Sequence, residues 1–161
     1  MALNDVKIVS GGGLVFQPKV EDRTTSSDTQ IVPGDVVKKG GTGTNFVTHV
    51  ATGEPTNAAP LYGVAISYST ETSTADGDVW VQQIVPGQTI LEAKATTPAN
   101  LSDGILNDAV TFDLTSTTYT VDENEGDDPD VHGLIILSYD AVKGTVRFLV
   151  KAFANEQTSN V

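Results

Sequence analysis

The chain has 161 residues and carries nine basic against twenty-one acidic side chains, a formal net charge of −12. This length suits one domain, and the acidity repels phosphate backbones and acidic membrane surfaces, so neither nucleic acid nor membrane is predicted as a partner. The chain has no cysteine, which excludes disulfides and thiolate catalysis. The first ten residues lack the charged start and apolar stretch of a signal peptide, so secretion is not predicted.

Residues 1–27 have neither helical periodicity nor a clean strand alternation. Their one apolar patch is Leu14, Val15 and Phe16, which follows three consecutive glycines and precedes a polar run. We expect an extended arm in which these glycines are flexible and the three apolar side chains need a partner surface to bury against. The alternative is that the patch forms an edge strand of the body.

Residues 28–154 are predicted to form a β-rich body, because β-branched and aromatic residues recur in short runs between turn residues. Only residues 97–108 offer a possible short helix, which Gly104 weakens. Residues 155–161 are predicted to be a flexible tail. The predicted strands cover residues 31–37, 61–68, 79–85, 88–93, 109–114, 117–121, 134–139 and 145–153.

The last two of these strands give the clearest local prediction. A short connection with Gly144 at its end separates them, which is typical of an antiparallel hairpin. Val146, Phe148 and Val150 alternate along the second strand and should share one face. The predicted fold is mainly β, a small barrel or sandwich of about eight short strands with long loops. Trp80 lies between two valines in its strand and is predicted to belong to the core or a subunit interface.

The densest charge run covers residues 122–130 and contains Asp, Glu, Asn and Gly. Its spacing does not fit the calcium loop of an EF-hand. Mutual repulsion favours an exposed, metal-free loop, with a divalent-ion site as the alternative.

No catalytic, cofactor-binding or metal-binding residue is predicted. The two histidines, His49 and His132, have no partners that the sequence places beside them, and the chain lacks a Gly-x-Ser-x-Gly elbow and a phosphate-binding loop. Hydrolysis by paired carboxylates stays open, because their separation is invisible in sequence. The prediction is a protein that is not an enzyme.

The order of short Gly-Asp and Gly-aliphatic motifs along about 120 residues resembles the pattern of tailed-bacteriophage capsid decoration (cement) proteins. The motifs are Gly34-Asp35-Val36-Val37, Gly63-Val64-Ala65, Gly77-Asp78-Val79, Asp108-Ala109-Val110, Gly133-Leu134-Ile135 and the run from Gly144 to Val150. The long loop at residues 40–60, the acidic insertion and the extended arm depart from that pattern.

The resemblance implies a β-tulip-like body that forms homotrimers on the outer surface of the virion's capsid. It implies assembly in the host bacterial cytoplasm, the major capsid protein as partner, and an N-terminal arm that contacts this protein, here through Leu14, Val15 and Phe16. One alternative is another virion component, such as a head fibre base, a tail-tube subunit or a minor capsid protein. The other is a carbohydrate-binding β-sandwich, whose stacking platform would come from Trp80, Tyr62, Tyr68, Tyr119 and Tyr139.

Overall fold

The computed structural model describes residues 6–24, 29–59 and 61–152. These residues form fourteen strands and two single turns of 3-10 helix, so the predicted mainly β fold is confirmed. The strands are β1 (Lys7–Ser10), β2 (Val15–Phe16), β3 (Lys19–Val20), β4 (Val36–Lys39), β5 (Val47–His49), β6 (Gly63–Ala65), β7 (Gly77–Asp78), β8 (Val81–Gln83), β9 (Ile90–Lys94), β10 (Ala109–Val110), β11 (Phe112–Thr115), β12 (Thr118–Val121), β13 (Leu134–Asp140) and β14 (Thr145–Val150).

The strands form two five-stranded antiparallel sheets and two small two-stranded ones. The first sheet has the order β1-β9-β14-β13-β10, and the second has the order β2-β8-β6-β4-β5. The small sheets pair β11 with β12 and β3 with β7. Within the described residues there is no helix of the length and apolar character needed to cross a membrane.

The main hydrophobic core is shared between the two large sheets. Leu91, Val146 and Phe148 of the first sheet belong to the same buried cluster as Val36 and Val64 of the second. The opposite face of the second sheet covers a smaller cluster, which includes Val37, Ala65 and Val81. Because side chains alternate along a strand, neighbouring residues such as Val36 and Val37 enter different cores.

The predicted C-terminal hairpin is confirmed. Leu134 pairs with Val150 and Asp140 with Thr145, and Val146, Phe148 and Val150 are all buried. Gly144 takes the left-handed φ of +66° that closes the turn, and its N–H donates to the Asp140 carbonyl at 2.8 Å.

Other predicted elements differ in detail. The possible helix at residues 97–108 is replaced by two 3-10 turns, Pro98–Asn100 and Asp103–Ile105, which close through hydrogen bonds three residues apart. The structure has six more strands than the predicted eight. β1, β2 and β3 lie in the predicted arm, β5 and β7 lie outside the predicted strands, and the predicted strand at residues 109–114 is divided into β10 and β11. The predicted tail, residues 155–161, lies outside the described residues.

Candidate interaction surface

The described part of the predicted arm, residues 6–24, is built into the body. β1 pairs with β9, β2 with β8 and β3 with β7, all antiparallel. The expectation of a free arm ending near residue 27 is therefore wrong for these residues, and the alternative of an edge strand is correct. The segment lies along the edge of both large sheets. Its backbone there pairs with N–H and C=O groups of the neighbouring strands that would otherwise lack hydrogen bonds.

An ion pair fixes the end of this segment. The Nε atom of Arg23 lies 3.4 Å from Oε1 of Glu71, whose side chain is completely buried, and the Arg23 N–H donates to the Thr72 carbonyl at 2.9 Å. A polar cavity of about 760 Å³ lies beside this pair. On its lining, Asp76 Oδ1 accepts the N–H of Asp22 at 3.0 Å. These charged groups hold the segment against the body.

The three glycines allow close packing rather than flexibility. A Cβ atom at Gly11 would lie 2.6 Å from the Gln88 carbonyl oxygen, and one at Gly12 would lie 2.5 Å from the Gln82 side-chain nitrogen. Gly11 also has a φ of +71°, a conformation that side chains disfavour. The glycines expected to be flexible are thus packed against the body, and at Gly11 the neighbour is backbone, so this position requires a residue without a Cβ atom.

Leu14, Val15 and Phe16 do not form one patch. Val15 lies opposite Gln82 and Phe16 opposite Val81, so successive side chains point to opposite faces of the second sheet. The Phe16 ring packs edge-to-face on Tyr62, with 4.6 Å between ring centroids, and joins the smaller core. Leu14 is 79% exposed and Val15 is 50% exposed, so these two remain available to a partner.

Trp80 and Ile66 form a second exposed apolar pair on the same sheet. Ala65 pairs with Val81 in the smaller core, and the ladder continues with the Ile66 N–H donating to the Trp80 carbonyl at 2.8 Å. Alternation therefore directs Ile66 and Trp80 to the opposite face, where they are 48% and 46% exposed. The first sheet covers this face as far as Val64 and leaves it open beyond that residue.

This part of the second sheet carries no charged side chains. Among the runs of the sequence without Asp, Glu, Lys or Arg are three at residues 8–18, 55–70 and 79–91. They supply β2, β6 and β8, which are adjacent in the sheet. We call the exposed side chains on this side, Val15, Ile66 and Trp80, the uncharged face. The runs are visible in the sequence, but their adjacency follows only from the strand order.

An apolar cleft adjoins the uncharged face. It has a volume of about 250 Å³ and lies between β1 and the second sheet. Ile8, Pro33 and Ile66 belong to its apolar lining. Gln82 adds an amide group, and Lys7, which pairs with Glu92 at 2.7 Å, also lines the cleft. The cleft continues the apolar surface inward from Ile66.

Residues 122–130 do not form the fully exposed loop that the sequence predicts, because some of their carboxylates bind to the body. Glu123 is buried, and its Oε1 accepts the Thr97 N–H at 2.9 Å. Asp127 Oδ1 accepts the Ala109 N–H at 2.8 Å. Carboxylates in this segment therefore bind backbone N–H groups of the body, which offsets their desolvation. Charge density alone could not show which of them turn inward.

The histidines occupy separate places. His49 Nε2 lies 3.0 Å from Asp35 Oδ2, and Asp35 also accepts the Val32 N–H at 2.9 Å. His132 lies 3.5 Å from Glu125 and shares a hydrogen bond of 3.1 Å with the Ala109 carbonyl. Across residues 6–24, 29–59 and 61–152, no group of three or more histidine, aspartate or glutamate side chains is arranged to hold a metal ion.

The aromatic residues do not form a shared platform. Tyr119 is buried, and its hydroxyl donates to the Val50 carbonyl at 2.7 Å. Burial raises the pKa of Tyr119 strongly, so the hydroxyl stays protonated and acts as a structural donor. The Tyr139 hydroxyl donates to Asp103 Oδ1, and Tyr62 packs on Phe16. Trp80 and Tyr68 are left as the large exposed aromatic side chains of the described residues.

No family model, no curated protein and no solved structure matches this chain.

Proposed function

We propose that this chain is a non-enzymatic structural protein of a tailed-phage virion, which binds the outer surface of the capsid as a homotrimer and stabilises the shell. The observation that carries the proposal is the exposed apolar surface on the second sheet, in a chain that is otherwise strongly acidic. Exposed apolar side chains on neighbouring strands, such as Ile66 and Trp80, are typical of a surface that binds another macromolecule.

The resemblance in sequence has a structural counterpart. Each of its six motifs lies where a strand begins, at β4, β6, β7, β10, β13 and β14. In two of them the glycine has a left-handed φ, +96° at Gly34 and +66° at Gly144, as a turn into a strand requires. These two glycines therefore specify turns of a β body, which supports a common architecture as part of the proposal.

Leu14 and Val15 are the proposed contacts with the major capsid protein. Val15 lies on β2 at the edge of the second sheet and Leu14 directly precedes it. Phe16 holds the strand in place by packing on Tyr62. Burial of a large apolar side chain contributes roughly 1.5–3 kcal/mol, so many copies on one shell could give a large combined stabilisation.

The experiment compares virus shells assembled with and without the chain. Cryo-electron microscopy should show density for the chain at regular positions on the outer surface, and shells that carry it should withstand higher temperature. Density inside the tail or at a single vertex would instead support another virion component, and no association with particles would overturn the proposal.

A point variant tests the contact itself. Leu14→Asp should fold like the natural chain, because Leu14 is exposed, but should reduce attachment to shells at least tenfold. Val142→Asp, at the tip of the β13–β14 hairpin, is the matched control, because Val142 is 98% exposed and distant in the fold from β2. Equal attachment of both variants would show that Leu14 is not a contact.

A further inference from the structure

The polar cavity beside the pair of Arg23 and Glu71 is surrounded mainly by acidic groups. Its volume of about 760 Å³ lies in the range of cavities that bind small molecules. The residues that line it include four carboxylates and one guanidinium, from Glu21, Asp22, Glu71, Asp76 and Arg23. The four negative groups and the one positive group leave a net charge of −3 around the cavity.

Other groups on the lining add hydrogen-bond acceptors. His49 lines the cavity, and its Nε2 lies 3.0 Å from a carboxylate oxygen of Asp35, which can only accept. Nε2 therefore carries the proton, and Nδ1 is left as an acceptor. Hydrogen bonds from the side chain and the backbone N–H of Thr42 hold the pKa of Glu21 below its ordinary value of 4.5, so Glu21 is ionised at neutral pH. A ligand that suits these groups brings N–H donors and positive charge.

Glu71 is a buried carboxylate on this lining that accepts no hydrogen bond. The residue is 2% exposed, and neither carboxylate oxygen has a donor among the described residues. Arg23 Nε lies 3.4 Å from Oε1 but is not aligned to donate to it, and Arg23 Nη2 donates instead to the Glu71 carbonyl at 3.1 Å. A buried carboxylate without donors is costly, so a cation that donates hydrogen bonds to Glu71 would be stabilised there.

We propose that this cavity binds a linear alkyl polyamine, with one ammonium group at Glu71 and another near Asp22 and Asp76. An ammonium group supplies both the positive charge and the three N–H donors that these acceptors need. Apolar side chains that also line the cavity can contact the methylene groups between the ammonium groups, namely those of Ile31, Val47 and Leu114. The proposal goes beyond the proposed function and does not depend on it, because it concerns the isolated chain.

Arg23 is the cation that contacts Glu71 in the free protein, so it competes with the ligand. The Arg23 side chain is 36% exposed, whereas that of Glu71 is fully enclosed. An ammonium group therefore reaches Glu71 when the Arg23 side chain moves aside. The backbone N–H of Arg23 can keep its hydrogen bond of 2.9 Å to the Thr72 carbonyl, so the N-terminal segment need not move with the side chain.

Calorimetric titration of the full chain with spermidine, a linear triamine, tests the proposal. We expect one binding site per chain, and binding at least about tenfold weaker for magnesium chloride and for the uncharged 1,4-butanediol, since neither combines charge, N–H donors and an alkyl chain. Magnesium that binds as tightly as spermidine would show a general attraction of cations to an acidic protein and would overturn the proposal.

Two exposed carboxylates give a matched pair of variants. Asp76→Asn and Asp130→Asn change the net charge equally, but Asp76 lines the cavity and Asp130 does not. Asp76→Asn keeps the Oδ1 atom that accepts the Asp22 N–H, so the fold should be unaffected. We expect it to weaken spermidine binding several-fold and Asp130→Asn to change it by less than about twofold.

Variants of the buried pair test the position of the ammonium group. Glu71→Gln should weaken binding by about tenfold or more, because it removes the charge of the buried acceptor. Arg23→Gln should strengthen binding several-fold, because it removes the internal competitor. Circular dichroism establishes that each variant is folded. If either variant does not fold, the comparison of Asp76→Asn with Asp130→Asn decides the question, because both of these positions are exposed.

Three results would overturn the proposal. They are no spermidine binding up to millimolar concentration, equal weakening by Asp76→Asn and Asp130→Asn, and unchanged binding in a folded Glu71→Gln variant. Weaker binding in folded Arg23→Gln would contradict the competition between Arg23 and the ligand. Because all these measurements use the chain without virus shells, they can fail while attachment to shells succeeds, and the reverse holds as well.

Discussion

Gly11 and Gly87 have almost the same backbone conformation, with φ of +71° and +73°, but very different surroundings. A Cβ atom at Gly11 would meet the Gln88 carbonyl oxygen, whereas nothing lies within 4 Å of one at Gly87. The two positions therefore separate the cost of backbone conformation from the cost of a close contact.

We expect Gly87→Ala to lower the free energy of unfolding by about 1 kcal/mol, the typical cost of a left-handed conformation for a residue with a Cβ atom. Gly11→Ala should cost about 2–4 kcal/mol, because it adds a clash with backbone that cannot move away cheaply. Urea unfolding of both variants measures the difference. Equal losses would show that the N-terminal segment does not need the close approach.

Glu123 offers a second test at the scale of one residue. We expect Glu123→Ala to lower the free energy of unfolding by about 1–3 kcal/mol, because it leaves the part-buried Thr97 N–H without its acceptor. Asp130→Ala, on an exposed residue of the same acidic segment, should change stability by less than about 0.5 kcal/mol. Chemical unfolding of the two variants distinguishes an inward-facing carboxylate from a solvated loop.

At the scale of elements, β1, β9 and β14 are joined by one carboxylate as well as by their backbones. Glu92 on β9 binds Lys7 on β1 at 2.7 Å and Arg147 on β14 at 2.9 Å. Hydrogen bonds from Lys7 and then Arg147 hold the pKa of Glu92 below its ordinary value of 4.5. Glu92 thus ties the N-terminal segment to the centre of the first sheet.

This pKa shift predicts a dependence of stability on pH. Because the folded pKa is depressed, the Glu92 contribution is present above pH 4.5 and is lost as pH falls from there through the lower folded pKa. Over this range the free energy of unfolding should fall in both the natural chain and Glu92→Gln. The fall should be larger in the natural chain by about 1 kcal/mol or less, since Lys7 and Arg147 are half exposed and screened by water. Urea unfolding from neutral pH to about pH 3 compares them, and parallel curves would contradict the prediction.

The N-terminal segment should be required for folding. Deleting residues 1–23 removes Val6, Phe16 and Val20 from the cores, each worth roughly 1.5–3 kcal/mol, which together approach the whole stability of a small domain. We expect the truncated chain to be unfolded or to melt well below the natural one, as measured by circular dichroism. A truncated chain with an unchanged melting temperature would instead support the prediction of a free N-terminal arm.

The sequence predicts local pairings better than distant ones. The β13–β14 hairpin is predicted because its alternation and its turn glycine lie within 20 residues of each other. β1 and β2 pair with strands more than 60 residues away, and nothing within Leu14–Phe16 indicates the partner strand. The uncharged runs are visible in the sequence, but the surface they form depends on the order of the second sheet.

At the scale of the whole molecule, charge and topology act together. The exposed apolar residues of the second sheet lie in runs without charged side chains, and the N-terminal segment closes the edges of both large sheets. The exposed apolar residues therefore lie on a rigid framework rather than on a loose extension. A partner that binds them need not order a disordered segment, so the entropy cost of binding is small.

The strand order of the first sheet also determines when this sheet can form during synthesis of the chain. Its central strands, β14 and β13, are the last to leave the ribosome, whereas the edge strand β1 is among the first. The N-terminal residues must therefore wait for nearly the entire polypeptide before the first sheet can assemble around its centre. Nascent chains arrested before residue 134 should remain sensitive to protease throughout, and released full-length chains should become resistant only after synthesis ends.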